Sequence, residues 1–102
     1  TVNHIDCAAE PEDTVRRELA QSRDDLRREL GIRDVVFAYP YGGRHNMTAQ
    51  RLQWVRDAGY AGCLSAYGGI NVGSVDRWMV LRCDDGWAFS DLSFQRRCHG
   101  LV

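Results

Sequence analysis

The sequence contains no lysine, because all 13 of its basic residues are arginine. Chemistry that needs a side-chain amine, such as Schiff-base formation, is therefore excluded, whereas arginine can pair, stack or bind anions. The sequence also has no excess of positive or negative charge, since 13 basic and 14 acidic residues give a formal net charge of -1. This balance creates no field that would attract nucleic acid or an anionic membrane, so neither is an expected partner.

Long apolar runs and paired cysteines are also lacking. No run approaches the roughly 20 residues of a membrane-spanning helix, and no charged-then-apolar signal sequence is present, so the compartment stays unknown. The four cysteines, Cys7, Cys63, Cys83 and Cys98, include no C-x-x-C pair, which argues against a structural zinc site. Free thiols that are buried or partly buried are expected, and two disulfides stay an alternative for a secreted protein.

The length and composition indicate one modest domain. With 102 residues and 44% hydrophobic content, the chain has enough apolar surface for a globular core. We therefore treat residues 1–102 as a single domain. Since the sequence starts at Thr1 without methionine, we expect it to be an excised or truncated piece of a larger domain.

The hydrophobic pattern predicts helices that alternate with short strands. Residues 11–30 carry Val15, Leu19, Leu26 and Leu30 at helical spacing, which predicts a long helix with one buried face. The further predicted elements are a strand at 34–39 covered on both faces, a helix at 48–58 capped by Thr48, a strand at 60–65, a loop at 66–77, a strand at 78–83 and a last helix from Ser90 or Asp91 to Cys98. This order indicates an α/β fold with parallel strands and crossover helices.

The segment 37–43, F-A-Y-P-Y-G-G, is the most informative part of the chain. Its apolar residues run into a proline and two glycines, which predicts a sharp turn at the carboxyl end of a buried strand. The α/β folds place their chemistry at such strand ends. Tyr39 and Tyr41 alternate, so both rings are expected on one side of an extended chain. An ordinary strand end and turn would explain the same residues without a function.

Four segments, in order, resemble the second half of a polysaccharide deacetylase domain: the long charged helix, F-A-Y-P-Y-G-G, V-R-D-A-G-Y at 55–60 and G-G-I-N at 68–71. The likeness covers nearly the whole chain. It implies a partial, distorted (β/α) barrel that removes N-acetyl or related acyl groups from sugars with a divalent metal, which is zinc or else cobalt or nickel. In that family an aspartate and two histidines hold the ion, and another aspartate is the base.

The resemblance also implies individual site residues. T-V-N-H at 1–4 looks like the end of the family's histidine motif, which makes His4 a metal ligand and places the first histidine upstream of Thr1. Tyr41 is implied to be catalytic, with its backbone N–H donating to the oxyanion of the tetrahedral intermediate. The implied substrate-binding residues are Tyr39, Pro40, Gly42 and Arg82. Arg44 and His45 lie near the same face, where an ordinary polar loop is the preferred explanation.

Departures from the family pattern lead to two functional hypotheses. Ala38 stands where many members carry an arginine that orients the base, and no Leu-x-x-His motif is found. In the family, the aspartate pair that supplies the base and a metal ligand lies on the first barrel strand, so the resemblance implies that this pair is absent here. The first hypothesis is a fragment of a carbohydrate N-deacetylase that acts on acetylated sugar polymers or oligomers and is inactive alone. The alternative is a non-catalytic carbohydrate-binding or assembly module. A barrel without its first strands leaves open edges, so we expect self-association or a missing N-terminal part.

Overall fold

The computed structural model describes residues 1–66, 68–82 and 95–96. Its helices and strands are α1 (Glu12–Leu30), β1 (Val36–Ala38), α2 (Ala49–Asp57) and β2 (Gly62–Leu64). The strands pair in parallel, with Phe37 opposite Cys63, and α2 connects them. Helices combined with a parallel two-stranded sheet confirm the α/β class at this level. A complete barrel stays a prediction.

Helix α1 has the ends that its sequence predicts. It begins after Pro11, and Glu12 and Asp13 lie in its first turn, where the helix dipole favours negative charge. It ends at Gly31, which adopts a left-handed conformation with a φ of 64° and donates its N–H to the carbonyl of Arg27 at 3.0 Å. A glycine enters this conformation without the steric cost of a Cβ atom.

The buried face of α1 is shorter than predicted. Val15 and Leu19 are buried, but Leu26 and Leu30 are 39% and 61% exposed. The prediction of one continuous buried face is therefore wrong for the last turns. The physical reason is visible at Leu26, which lines an open groove beside exposed Val36 instead of packing into the core.

Strand β1 has only one covered face among the described residues. Val35, Phe37 and Tyr39 are each at most 3% exposed, whereas Val36 between them is 51% exposed. The alternation follows the two-residue period of a strand. The prediction that both faces are covered is wrong for the described residues, because Val36 lines an open groove instead of packing into the core.

Helix α2 and strand β2 complete the core. The Oγ1 atom of Thr48 accepts the N–H of Arg51 at 3.4 Å, so the predicted cap is confirmed. Trp54 on α2 is buried. The buried hydrophobic residues form one cluster: Cys7, Val15, Leu19, Val35, Phe37, Tyr39, Met47, Trp54, Val55, Tyr60 and Cys63.

The cysteines that the structure describes are free and buried. Burial raises the pKa of the Cys7 thiol to about 11 and that of the Cys63 thiol to about 12. Cys63 on β2 is the small buried residue that the sequence predicts. Cys83 and Cys98 lie outside the described residues.

Beyond β2 the chain returns along the other edge of that strand. Leu64 forms a parallel bridge with Val80, and the N–H of Cys63 donates to the carbonyl of Arg77 at 2.7 Å. This bridge is the described part of the strand predicted at 78–83. The last predicted helix lies outside the described residues, apart from helical residues 95–96. In the described ranges, no helix is long and apolar enough to cross a membrane.

Candidate active site

The chain turns abruptly just after β1, around Tyr41. The N–H of Gly42 donates to the carbonyl of Pro40 at 2.7 Å, which closes a three-residue turn. Tyr41 at its centre has a φ of 64°, a value that is uncommon for a bulky residue and that defines the rarer hand of γ-turn. The side chain of Tyr41 is therefore 64% exposed, although that of Tyr39 is buried. The prediction that both rings share one side is wrong, because the chain is not extended at Tyr41.

The backbone of the turn leaves one donor available. The carbonyl of Gly42 accepts the N–H of Ala66 at 3.0 Å, and the N–H of Gly43 donates to Oδ1 of Asn46 at 3.0 Å. None of the hydrogen bonds within the described residues uses the N–H of Tyr41. The neighbouring bonds thus fix the loop while this N–H stays free to donate.

Gly42 is needed where the turn meets the end of β2. Its φ is 65°, and a Cβ atom added there would lie 2.7 Å from the Cβ of Ala66. This distance is too short for two carbon atoms that are not bonded to each other, so a side chain at position 42 would push Ala66 and the turn apart. The close approach of these two loops explains the glycine that follows Tyr41.

His4 lies directly against Tyr41. The two rings meet edge to face, with centroids 5.1 Å apart and planes at 72°. His4 also has a positive φ, of 53°. The preceding residue is anchored on α1, since Asn3 donates its N–H to Oε2 of Glu18 at 2.9 Å and its Nδ2 to Oε1 at 2.5 Å. The fold therefore brings together the predicted ligand and the predicted oxyanion donor.

A second link between the two segments was not predicted from the sequence. The side chain of Asn46 is 2% exposed, and its Nδ2 donates to Oδ1 of Asp6 at 2.9 Å. The same oxygen accepts the N–H of Ala8 at 2.9 Å. The hydrogen bonds from Ala8 and then Asn46 hold the pKa of Asp6 below its usual value. Asparagine just after a glycine pair suggests a turn residue, but no pattern predicts its partner 40 residues away.

An open pocket of about 470 Å³ lies beside the Tyr41 turn. Its lining residues are Asp6, Tyr41, Gly43, His45 and Asn46. His45 is exposed, as an ordinary polar loop residue would be, but it stands at the wall of this pocket. The pocket therefore combines a carboxylate, an imidazole and an aromatic ring at the carboxyl end of β1.

The residues predicted to bind substrate are placed differently from one another. Tyr39, Pro40 and Gly42 are buried, and the ring of Tyr39 packs against Phe37 with centroids 5.1 Å apart. Arg82 is exposed. Substrate binding by these four residues stays a prediction, and in this group only Arg82 presents an exposed side chain.

Arg82 is connected to the turn through β2. Its Nε donates to the carbonyl of Ser65 at 2.6 Å. Ser65 is fully buried and precedes Ala66, whose N–H binds the carbonyl of Gly42. Arg82 thereby stabilises the segment after β2 that is hydrogen-bonded to the Tyr41 turn.

The described residues do not form a complete metal site. Among residues 1–66, 68–82 and 95–96, no three His, Cys, Asp or Glu side chains are grouped so that they could hold a metal ion. His4 offers one imidazole, and one imidazole does not hold an ion without further ligands. The donor set that the structure describes is therefore too small for the metal centre that the family resemblance implies.

The Tyr41 turn lies at the carboxyl end of a parallel strand, where α/β folds place their ligands, and its N–H has no acceptor among the described residues. A family model for polysaccharide deacetylase matches residues 1–63. The match spans more than half of the chain and includes His4, α1, β1, the Tyr41 turn and α2. The chain belongs to the polysaccharide deacetylase family. Comparison with curated proteins and with solved structures finds no match.

Proposed function

We propose that this chain takes part in the metal-dependent hydrolysis of N-acetyl groups on carbohydrate, as one portion of a deacetylase active site. The contact between His4 and Tyr41 carries the proposal. These residues are far apart in sequence, both have positive φ, and both lie within the segment that matches the family. Packing alone gives no reason for two strained residues to meet at one strand end.

Tyr41 acts through its backbone. When a hydroxide attacks an acetamide carbonyl, negative charge develops on the oxygen, and a donor already in place stabilises it. The N–H of Tyr41 has no acceptor among the described residues and is fixed by the turn on either side. Loss of one such donor lowers the rate on the order of 10²- to 10³-fold.

His4 supplies one ligand of the metal centre in this proposal. The remaining ligands and the base, an aspartate pair and a second histidine, come from outside the described residues. Zinc, cobalt or nickel would polarise the acyl carbonyl and acidify the attacking water. The 102-residue chain is consequently expected to be inactive alone and to act on N-acetylated sugar polymers or oligomers only with the missing part.

An acetate-release assay tests this proposal. We expect no acetate from acetylated chitooligosaccharides when the 102-residue chain is incubated with zinc or cobalt. Robust release would contradict the claim that the chain is inactive alone. The gene sequence upstream of Thr1 provides an independent test, because an upstream region without an aspartate pair and a histidine motif would contradict the enzyme assignment.

A non-catalytic carbohydrate-binding or assembly module is the second candidate. It is favoured by the small donor set in the described residues and by Ala38, where many relatives have an arginine. Glycan binding that is unchanged by chelation and by His4→Ala would support this module. Loss of binding on chelation would argue for the deacetylase instead.

A further inference from the structure

The pocket beside Tyr41 has the size and position of a ligand subsite. Its volume of about 470 Å³ falls in the range of roughly 300–1,000 Å³ that is usual for small-molecule sites. It shares Tyr41 with the proposed active site and extends from there toward Asp6 and His45. A ligand that reacts at the Tyr41 N–H would therefore have its neighbouring group in this pocket.

Asp6 is held so that one of its oxygens is left for a ligand. Its Oδ1 accepts two hydrogen bonds, from the N–H of Ala8 and from Nδ2 of Asn46, each at 2.9 Å. No donor in the described part of the chain takes Oδ2. Asn46 is itself fixed, because its Oδ1 accepts the N–H of Gly43 and its side chain is almost fully buried. These hydrogen bonds orient the carboxylate of Asp6 so that its Oδ2 atom can accept a hydrogen bond from a ligand.

The other walls suit an uncharged, hydroxylated ring. The ring of Tyr41 is largely exposed and is packed by His4 in an edge-to-face contact, which leaves aromatic surface for a ligand. Exposed His45 adds a group that can donate or accept a hydrogen bond. Aromatic surface beside polar groups suits a pyranose, which has apolar C–H faces and a rim of hydroxyls. Within the part of the chain that the structure describes, Asp6 belongs to no group of three or more His, Cys, Asp or Glu side chains that could hold a cation.

We infer that this pocket is a subsite for the sugar unit next to the reacting one, in which Oδ2 of Asp6 accepts a sugar hydroxyl, His45 binds a second polar group and Tyr41 packs on the ring. The inference rests on the proposed function and adds to it the residues that select a sugar chain over a single acetamide. It also gives His45 a role that its loop position alone does not suggest.

Binding of chitotetraose to the 102-residue chain tests the inference. Titrations followed by heteronuclear NMR, with EDTA present, would compare the wild type with Asp6→Asn, His45→Ala and Asp34→Asn. Asp34→Asn is the matched control, since Asp34 is exposed at the other end of β1 and the same charge is removed. We expect Asp6→Asn to weaken binding about tenfold or more, as for a lost hydrogen bond to a charged group. His45→Ala should weaken it severalfold, and Asp34→Asn should leave it unchanged.

The outcomes separate this inference from the proposed function. Absence of saturable binding by the wild type, or equal affinities for the wild type, Asp6→Asn and His45→Ala, overturns the subsite. If Asp6→Asn does not fold, His45→Ala decides alone, because that side chain is exposed and its loss leaves the core intact. Since the titration contains EDTA, it requires neither metal nor hydrolysis. The expected binding pattern together with an upstream region that lacks the ligands would support the subsite and contradict the deacetylase.

Discussion

At the scale of single residues, the site depends on two unfavourable backbone conformations. His4 and Tyr41 both have positive φ without being glycine, and such residues typically cost on the order of 1–3 kcal/mol each. His4 follows Asn3, which is bonded to Glu18, and Tyr41 is flanked by the hydrogen bond between Pro40 and Gly42. The surrounding hydrogen bonds thus offset the strain and keep the two rings in contact.

Gly42→Ala should destabilise the protein more than Gly73→Ala. Both glycines have similar positive φ values, of 65° and 68°, so both substitutions carry the left-handed penalty of roughly 1–2 kcal/mol. Only at Gly42 would the new Cβ meet Ala66, and this overlap should add about 1–3 kcal/mol. Urea unfolding measures both free energies. Equal losses for the two variants would show that the Tyr41 loop does not need this close approach.

The thiols of Cys7 and Cys63 should resist alkylation in the folded protein. Alkylation requires the thiolate, and at pH 8 a thiol with a pKa of about 11 is ionised in roughly one molecule in a thousand. As the pH increases, the labelling rate of Cys7 should therefore rise about tenfold per pH unit until the pH reaches the pKa. Cys63, whose pKa is about 12, should react more slowly still. Iodoacetamide labelling followed by peptide mass spectrometry resolves each site. The guanidinium-unfolded chain is the reference, and equal labelling rates with and without guanidinium at pH 8 would contradict the prediction.

At the scale of elements, local signals in the sequence predict the helices and strands well but not their surroundings. Pro11, Gly31 and Thr48 act through their own backbone or that of near neighbours, so the helix ends can be predicted from sequence. Whether Leu26 and Val36 are buried depends on elements distant in sequence, and there the predictions are wrong. His4 and Tyr41 are proposed as site residues from the family resemblance, and the structure places their rings in contact. The sequence pattern alone does not predict that contact.

The parts of the site that could not be predicted are those that depend on long-range geometry. The bond between Asp6 and Asn46 joins two loops whose separation no periodicity encodes. The positive φ of Tyr41 is equally hidden, because tyrosine has no preference for that conformation and tertiary bonds impose it. An extended chain would place the rings of Tyr39 and Tyr41 on the same side. The turn at Tyr41 instead leaves the Tyr39 ring buried and the Tyr41 ring exposed.

Tyr60 connects α1 to the start of β2, and its hydroxyl should contribute to stability. The hydroxyl donates to the carbonyl of Leu19 at 2.9 Å and lies 2.6 Å from Oγ of Ser22. Tyr60→Phe should lower the free energy of unfolding by about 0.5–1.5 kcal/mol, the usual net value of such a bond. Tyr41→Phe is the control, because the exposed Tyr41 hydroxyl has no partner among the described residues. Chemical denaturation that gives the same midpoint for both variants would show that this contact does not anchor α1.

At the scale of the whole molecule, more apolar surface is open than the described elements cover. Leu26, Leu30 and Ile32 near the end of α1 are at least 39% exposed, and Val36 on β1 is half exposed. Leu26 and Val36 line one open groove with Val2. Among the described residues, β1 pairs with β2 on one side, and its other edge has no strand partner. Apolar surface next to an unpaired strand favours association with a further polypeptide segment.

We therefore expect the 102-residue chain to self-associate at micromolar concentration through the groove and the free edge of β1. Val36→Glu should shift the population toward monomer, because an exposed carboxylate at the centre of the apolar surface would have to be desolvated on association. Val72→Glu is the matched control, since Val72 is 82% exposed and lies in the loop after β2, away from the groove. Sedimentation velocity over a concentration series measures all three proteins. A wild-type chain that sediments as a stable monomer and unfolds cooperatively would contradict the prediction and would mean that the segment closes its own core.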